Sequence, residues 1–184
     1  MDSLEKKYDE LKENFKKIPN NIGALIEITP DVWEILGSLY KTDIIYAKSV
    51  EILDKNKFKI TFKFPKFEGV IDIAAIDHVS VVQMQAAINQ SLYCGIGLSI
   101  RQQGIQSPIS YEKFLHLRKH SLYRHDERTF RKFLKPGENA YLILEIETII
   151  KKGNMYSINT KFIKDKDCFM DGVVECILQE KYIN

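Results

Sequence analysis

With 184 residues, 45% of them hydrophobic and 28% charged, the chain is sized for one α+β domain that buries its core without metals or disulfides, and a second full domain would be crowded. A formal charge of +2 makes no demand for nucleic acid or an anionic membrane as partner, so any electrostatic function must be local. The three cysteines, Cys94, Cys168 and Cys176, include no CxxC pair, which argues against a disulfide framework or structural zinc and for reduced thiols.

The opening MDSLEKKYDELKENFKKI is charged throughout and lacks the apolar core of a signal peptide, and no later stretch is long enough to span a bilayer. A soluble, cytoplasmic protein with no membrane partner is expected. Leu4, Tyr8, Leu11 and Phe15 fall on one stripe of a helix that should dock on its own domain. A short second helix should follow Pro30, with Thr29 as its cap and Val32, Trp33, Ile35 and Leu36 as its apolar residues. From Asp43 to Leu53 and from Lys57 to Phe64, β-branched and aromatic residues flank Asp54-Lys55-Asn56, which predicts a β-hairpin closed by Pro65.

After a short extended run at Val70 to Ala75, the segment Ser80 to Leu98 is apolar or small almost all round, as a buried helix is. Gly95 and Gly97 near its end predict close backbone approach or an early stop. The last third alternates over Lys113–Leu117, Leu122–Phe133, Asn139–Ile150, Met155–Ile163 and Phe169–Gln179. Turns fall at Lys135-Pro136-Gly137, Lys152-Gly153-Asn154 and 164–167, and an antiparallel meander is expected. A buried helix introduced by a hairpin and followed by long strands predicts an α+β hotdog fold, a curved antiparallel sheet wrapped around a long central helix. The whole chain, 1–184, then forms a single domain, with 1–40 a helical extension and 43–179 the hotdog core.

Two stretches resemble the fatty-acyl-CoA type III (FcoT-like) thioesterases, over most of the chain from about Tyr40 onward. The first is His78 followed by Asn89-Gln90 and Tyr93. The second is ISYEKFLHLRKHSLYRHDERTFRKFLKP, in which His116, Arg124, the run Phe130-Arg131-Lys132 and Pro136 fall in the family's pattern without a gap. The resemblance implies a homodimer, or dimer of dimers, with acyl sites at the subunit interface, acting on a fatty chain joined to coenzyme A or an acyl-carrier protein. Members of this group also resemble the enzymes of isonitrile-lipopeptide assembly that add glycine to an enoyl-carrier-protein thioester. The sequence departs from the pattern at Ser80, where the family shows Asn, at Gln83, where it shows an acidic residue, and at Asp72, where it has Tyr.

Thioester hydrolysis needs a polarised carbonyl and an activated water, for which a helix N-terminus and a side-chain base are suited. Asp77, His78 and Ser80 precede the buried helix. His78 is the candidate base, Asp77 can orient it or hold a water, and Ser80 is a candidate catalytic group or simply the helix cap. Asn89 and Gln90, amides in an apolar helix, must hydrogen-bond to water, ligand or a neighbouring strand, and Gln90 could order the water. Tyr93 is a candidate phenol donor, Tyr40 is added by resemblance, and Gln83 is counted among the substrate-binding positions. No carboxylate occurs from Ser80 to Ile100, which disfavours dehydratase chemistry, and Cys94 has no evident base. Arg124, Arg131 and Lys132 belong to a basic stretch from Lys113 to Lys135, with Lys113, Arg118, Lys119, Arg128 and Lys135, that would present one outer face suited to the phosphates of coenzyme A or to an acidic carrier protein, although a solvated edge would look the same. No metal or cofactor is implied. Three readings stand: a thioesterase, a glycine-adding enzyme on the same scaffold, and a non-catalytic acyl or carrier-protein binding module.

Overall fold

The computed structural model describes residues 28–41, 44–65 and 79–180. The expected opening helix, the run Val70 to Ala75, and Asp72, Asp77 and His78 lie outside the described residues. Helix α1 (Pro30–Leu36) is followed by strands β1 (Ala47–Asp54) and β2 (Lys57–Lys63), the long helix α2 (Val81–Arg101) and a short helix α3 (Tyr111–Leu117). One 3-10 turn, Arg118–His120, leads into β3 (Leu122–Phe130), β4 (Asn139–Lys152), β5 (Met155–Phe162) and β6 (Met170–Gln179).

The strands form one six-stranded sheet in the order β1-β2-β4-β5-β6-β3, with every neighbouring pair antiparallel. Alternation sets its inner face: Phe58, Ile60 and Phe62 of β2 and Leu142, Leu144 and Ile146 of β4 are all fully buried. Helix α2 lies on that face, and together they make the hotdog fold that the sequence predicts. Gly95 explains how closely they approach, because a Cβ there would sit 2.5 Å from Leu144 Cδ2, while one at Gly97 would sit 2.9 Å from Phe114 of α3. The glycines therefore serve packing. They do not end the helix, which continues to Arg101.

Three expectations are corrected. Lys113 to Leu117 is helical, because Ser110 caps α3 by accepting from Lys113 N–H at 3.2 Å, and Phe114 and Leu117, three apart, are its buried residues. Strand β3 does not join the meander beside β4. It crosses to the far edge and pairs with β6, leaving β4-β5-β6 as the meander. Thr29 occupies the N-cap position of α1, but its side chain makes no capping bond.

The end of β6 is pinned by Glu180, whose carboxylate accepts from Lys113 of α3, from Tyr156 of β5 and from Lys151 of β4 at 3.2 Å. These donors hold its pKa down at about 2, against an ordinary 4.5. A depressed carboxylate stabilises the fold above its unfolded pKa and loses that contribution as pH falls through the folded one. Urea midpoints of the wild type should therefore fall between about pH 4.5 and pH 2. The Glu180→Gln variant should show a shallower fall over that window, and identical slopes would remove Glu180 from the acid sensitivity.

Candidate active site

Helix α2 starts where its sequence supplies a capping box. Ser80 Oγ accepts from Gln83 N–H at 3.2 Å, and Gln83 Oε1 accepts from Ser80 N–H at 3.0 Å. The box satisfies two groups reciprocally and leaves the Val81 and Val82 amides without an intrahelical acceptor. Gln83 also reaches back to the Pro65 carbonyl at 3.5 Å and is buried. Its place in the cap accounts for an amide here without reference to a ligand.

The start of α2 is stitched to the segment that leaves β3, since Val79 N–H donates to Leu134 O at 2.8 Å. Beside this seam lies a cleft of about 300 Å3, lined by Val79, Val81, Met84, Phe130, Phe133 and Leu134, with Arg131 and Lys132 on its wall. Val81 is 72% exposed and Phe133 94%. Large apolar side chains grouped so openly around one cleft mark a surface built to be covered. Arg131 is held by a fork of bonds to Asp171, which lowers the Asp171 pKa, and Lys132 Nζ lies 3.6 Å from Asp167.

Farther along α2, roughly 13 Å from Ser80 at 1.5 Å per residue, Asn89 centres a second polar group. Its Oδ1 accepts from Gln85 Nε2 at 2.9 Å and from the Tyr123 hydroxyl. Tyr93 pairs with Ser121 at 2.8 Å, and its ring lies 6.5 Å from that of Tyr40. Burial raises the pKa of Tyr40, Tyr93 and Tyr123, so all three phenols remain protonated donors at neutral pH. Gln85 continues the chain by accepting from Arg128 Nη2 at 2.9 Å, and Arg128 is forked onto Asp126. Arg128 Nη1 is buried without an acceptor among the described residues.

The structure thus brings Ser80, Gln83, Arg131 and Lys132 to one end of α2, and Tyr40, Asn89 and Tyr93 to its middle. Gln90, expected to order a water, faces the other way. It is fully buried, its Oε1 accepts from the Tyr46 and Ala47 amides at 2.9 and 3.0 Å, and its Nε2 donates to Ile44 O at 2.7 Å. Arg124 stands seven residues before Arg131, roughly 20 Å along an extended strand, and pairs with Glu175 at 3.4 Å. The expected basic face divides further. Lys113 lies in a helix, and Arg118 is buried, donating to the Ile35 and Leu115 carbonyls and to Ser38. Burial pushes the Cys94 thiol up and that of Cys176 to about 12, far from the thiolate that a nucleophile needs.

Sequence reasoning did not place Gln85 or Tyr123 at the site, counted Arg128 only within the basic face, and missed the apolar wall. The spacing of four between Gln85 and Asn89 on a helix was the available signal. The phenylalanines on either side of Arg131-Lys132 were another.

A long helix cradled by an antiparallel sheet, with a cleft at the amino end of the helix, defines the class as a hotdog-fold domain. No protein-family model matches the chain, and no curated protein matches its sequence. Among solved structures, the chain is similar to Cj0977, described as a sigma28-regulated virulence protein, from Campylobacter jejuni. The identity is 12% and the TM-score 0.46, with 86% of this chain and 98% of that one covered. It is also similar to a hypothetical thioesterase with coenzyme A from Streptococcus pneumoniae, at 8% identity and TM-score 0.41, with 71% and 84% covered. A third is the PaaI protein of the E. coli phenylacetic acid degradation operon, at 6% identity and TM-score 0.42, with 81% and 97% covered. Among the described residues no helix is long and apolar enough to cross a membrane.

Proposed function

We propose that this chain processes acyl thioesters, hydrolysing a fatty acyl chain from coenzyme A or an acyl-carrier protein, in the manner of the FcoT-like enzymes that its sequence resembles. The observation that carries the reading is the apolar cleft at the amino end of α2, walled by two cations. In this reading the Val81 and Val82 amides polarise the thioester carbonyl, where the positive end of the helix dipole favours the developing oxyanion. His78, two residues before Ser80, takes a proton from the attacking water as Asp77 orients it. The water oxygen bonds to the carbonyl carbon, the carbon–sulfur bond breaks, and the thiolate leaves with the proton returned by His78. Ser80 and Gln83 fix the start of the helix, and Asn89 positions the Tyr123 phenol, with the Tyr40 ring against that of Tyr93, along the seam between α2 and β3. Gln90 is assigned to the scaffold and Arg124 to the β3–β6 pairing.

The active species in this proposal is a homodimer. Strand β3 is an outer edge, exposed along nearly its whole length, and presents Leu122, Tyr123 and Phe130 to solvent. Pairing β3 with its copy would cover that edge and bring a second subunit against the seam.

One observation favours a second reaction, glycine addition to a 2-enoyl-carrier-protein thioester. Arg128 Nη1 is a buried donor without a partner among the described residues, and a buried guanidinium N–H calls for an acceptor such as a carboxylate. Mass spectrometry after incubation with saturated and 2-enoyl thioesters, on coenzyme A and on carrier protein, with and without glycine, separates the readings. Free acid irrespective of glycine, abolished in His78→Ala, is the expected result. A glycine adduct confined to enoyl substrates and lost in Arg128→Gln would establish the second reaction. Absence of both products would leave a non-catalytic acyl or carrier-protein binding module.

A further inference from the structure

Arg131 and Lys132 have two sides. One faces the apolar cleft. The other forms the wall of a separate bowl of about 460 Å3, completed by Lys164, Asp165 and Lys166 from the connection between β5 and β6. We propose that this bowl seats the phosphate of a pantetheine-type carrier, so that cleft and bowl together recognise an acyl chain by its two ends. The proposal rests on the acyl-thioester reading above and names the part of the substrate that the bowl holds.

The charges decide what the bowl accepts. Its carboxylates are already committed: Asp171 to Arg131, Asp167 to Lys132 at 3.6 Å, and Asp165 to the Asp167 amide at 3.0 Å and the Tyr141 hydroxyl at 3.4 Å. Lys164 and Lys166 are exposed and make no ion pair among the described residues; Lys164 acts on Asp171 only through its charge. Two unspent ammonium groups beside a paired guanidinium match the charge of a phosphate ester, which accepts several charge-assisted hydrogen bonds at once. An uncharged ligand would leave both lysines without benefit, and a cation would be repelled.

The segment that carries them is fixed. The Asp165 side chain closes a turn on the Asp167 amide, Cys168 N–H donates to Asp165 O at 3.2 Å, and Cys168 and Phe169 are buried beneath. Arg131 N–H donates to Phe169 O at 2.8 Å, which locks the exit of β3 to the same segment. The apolar cleft and the cationic bowl are therefore held in one arrangement, with only the pair Arg131-Lys132 between them. An amphiphile with an apolar chain and a phosphate fits that arrangement better than a free fatty acid or a free nucleotide.

The test is the double variant Lys164→Glu/Lys166→Glu, checked for an unchanged melting temperature, with Lys164→Ala/Lys166→Ala as the milder partner. Equilibrium binding is measured calorimetrically with coenzyme A and with 4'-phosphopantetheine on a carrier protein, and needs no turnover. Turnover is measured in parallel with one acyl chain on coenzyme A, on carrier protein and on N-acetylcysteamine, which has no phosphate. The expected result is roughly tenfold or greater weakening of binding for at least one phosphate-bearing carrier. The wild-type preference for that carrier over N-acetylcysteamine should fall by the same factor. Weakening confined to coenzyme A, or to the carrier protein, supports the proposal and identifies the source of the phosphate. Wild-type affinity in the glutamate variant, equal loss on N-acetylcysteamine, or no binding of either carrier by the wild type would overturn it. Carrier binding that depends on the two lysines without any turnover would keep the bowl and discard hydrolysis. Turnover indifferent to the lysines would do the reverse.

Discussion

Replacing Gln90 with leucine should destabilise the protein by roughly 3 kcal/mol, even though the two side chains are of similar size and the site is fully buried. The amide closes the junction between α2 and the chain entering β1, taking both the Tyr46 and Ala47 N–H groups on one oxygen and donating to Ile44 O. Leucine gains a transfer free energy of roughly 1–2 kcal/mol. It also strands two backbone donors away from water, Ala47 being fully buried and Tyr46 7% exposed, at about 1–3 kcal/mol each. The net loss is a large part of the 5–15 kcal/mol typical of a domain. Urea unfolding at constant slope should show it as a lowered midpoint. Gln90→Glu should fall between the two, because a carboxylate still accepts both amides but turns an anion towards Ile44 O. A leucine variant within about 1 kcal/mol of wild type would mean that the junction finds other partners, and would return Gln90 to the candidates for ligand contact.

The same residue shows where reading the sequence reached its limit. That an amide in an apolar helix must be bonded follows from chemistry, and so does the helix itself, since its apolar residues run all round. Which way the amide turns depends on residues 44–47, more than forty positions away in sequence, and periodicity says nothing of that contact. Helix α3 was misread for a local reason. Seven residues are too few to separate a period of two from one of 3.6, and the deciding signal was Ser110 as its cap. The candidate site was legible at its helical end, where Ser80 is a recognisable cap, but not at its walls. Those come from residues 130–134 and 164–166, which meet only because β3 crosses to pair with β6. A polar turn such as Lys164-Asp165-Lys166-Asp167 reads as a loop on its own and becomes a cationic bowl only beside Arg131 and Lys132.

The β3–β6 pairing passes close over Gly172, and Gly172→Ala is expected to have a large effect for a single added methyl group. Gly172 sits in β6 between Phe162 of β5 and Arg128 of β3, with φ +148°. A Cβ there would lie 2.2 Å from Glu127 O and 2.7 Å from Arg128 Cα, both backbone atoms that cannot rotate aside. The strained dihedral costs about 1–3 kcal/mol, and the clash adds to it by forcing β3 off β6, so a loss of roughly 3 kcal/mol or more is expected. Gly153 provides the control. It too has positive φ, at 59°, but a Cβ there meets nothing within 4 Å, so Gly153→Ala should cost only about 1 kcal/mol. Because β3 carries Tyr123, Arg128 and Phe130 to the seam with α2, the Gly172 variant should also lose hydrogen-exchange protection first at the amides of β3 that pair with β6. Ligand binding should weaken at temperatures where the rest of the sheet is still folded. Equal melting temperatures for the two alanine variants would show that β3 can shift along β6 at no cost, and that the clefts on either side of Arg131 are not held by that pairing.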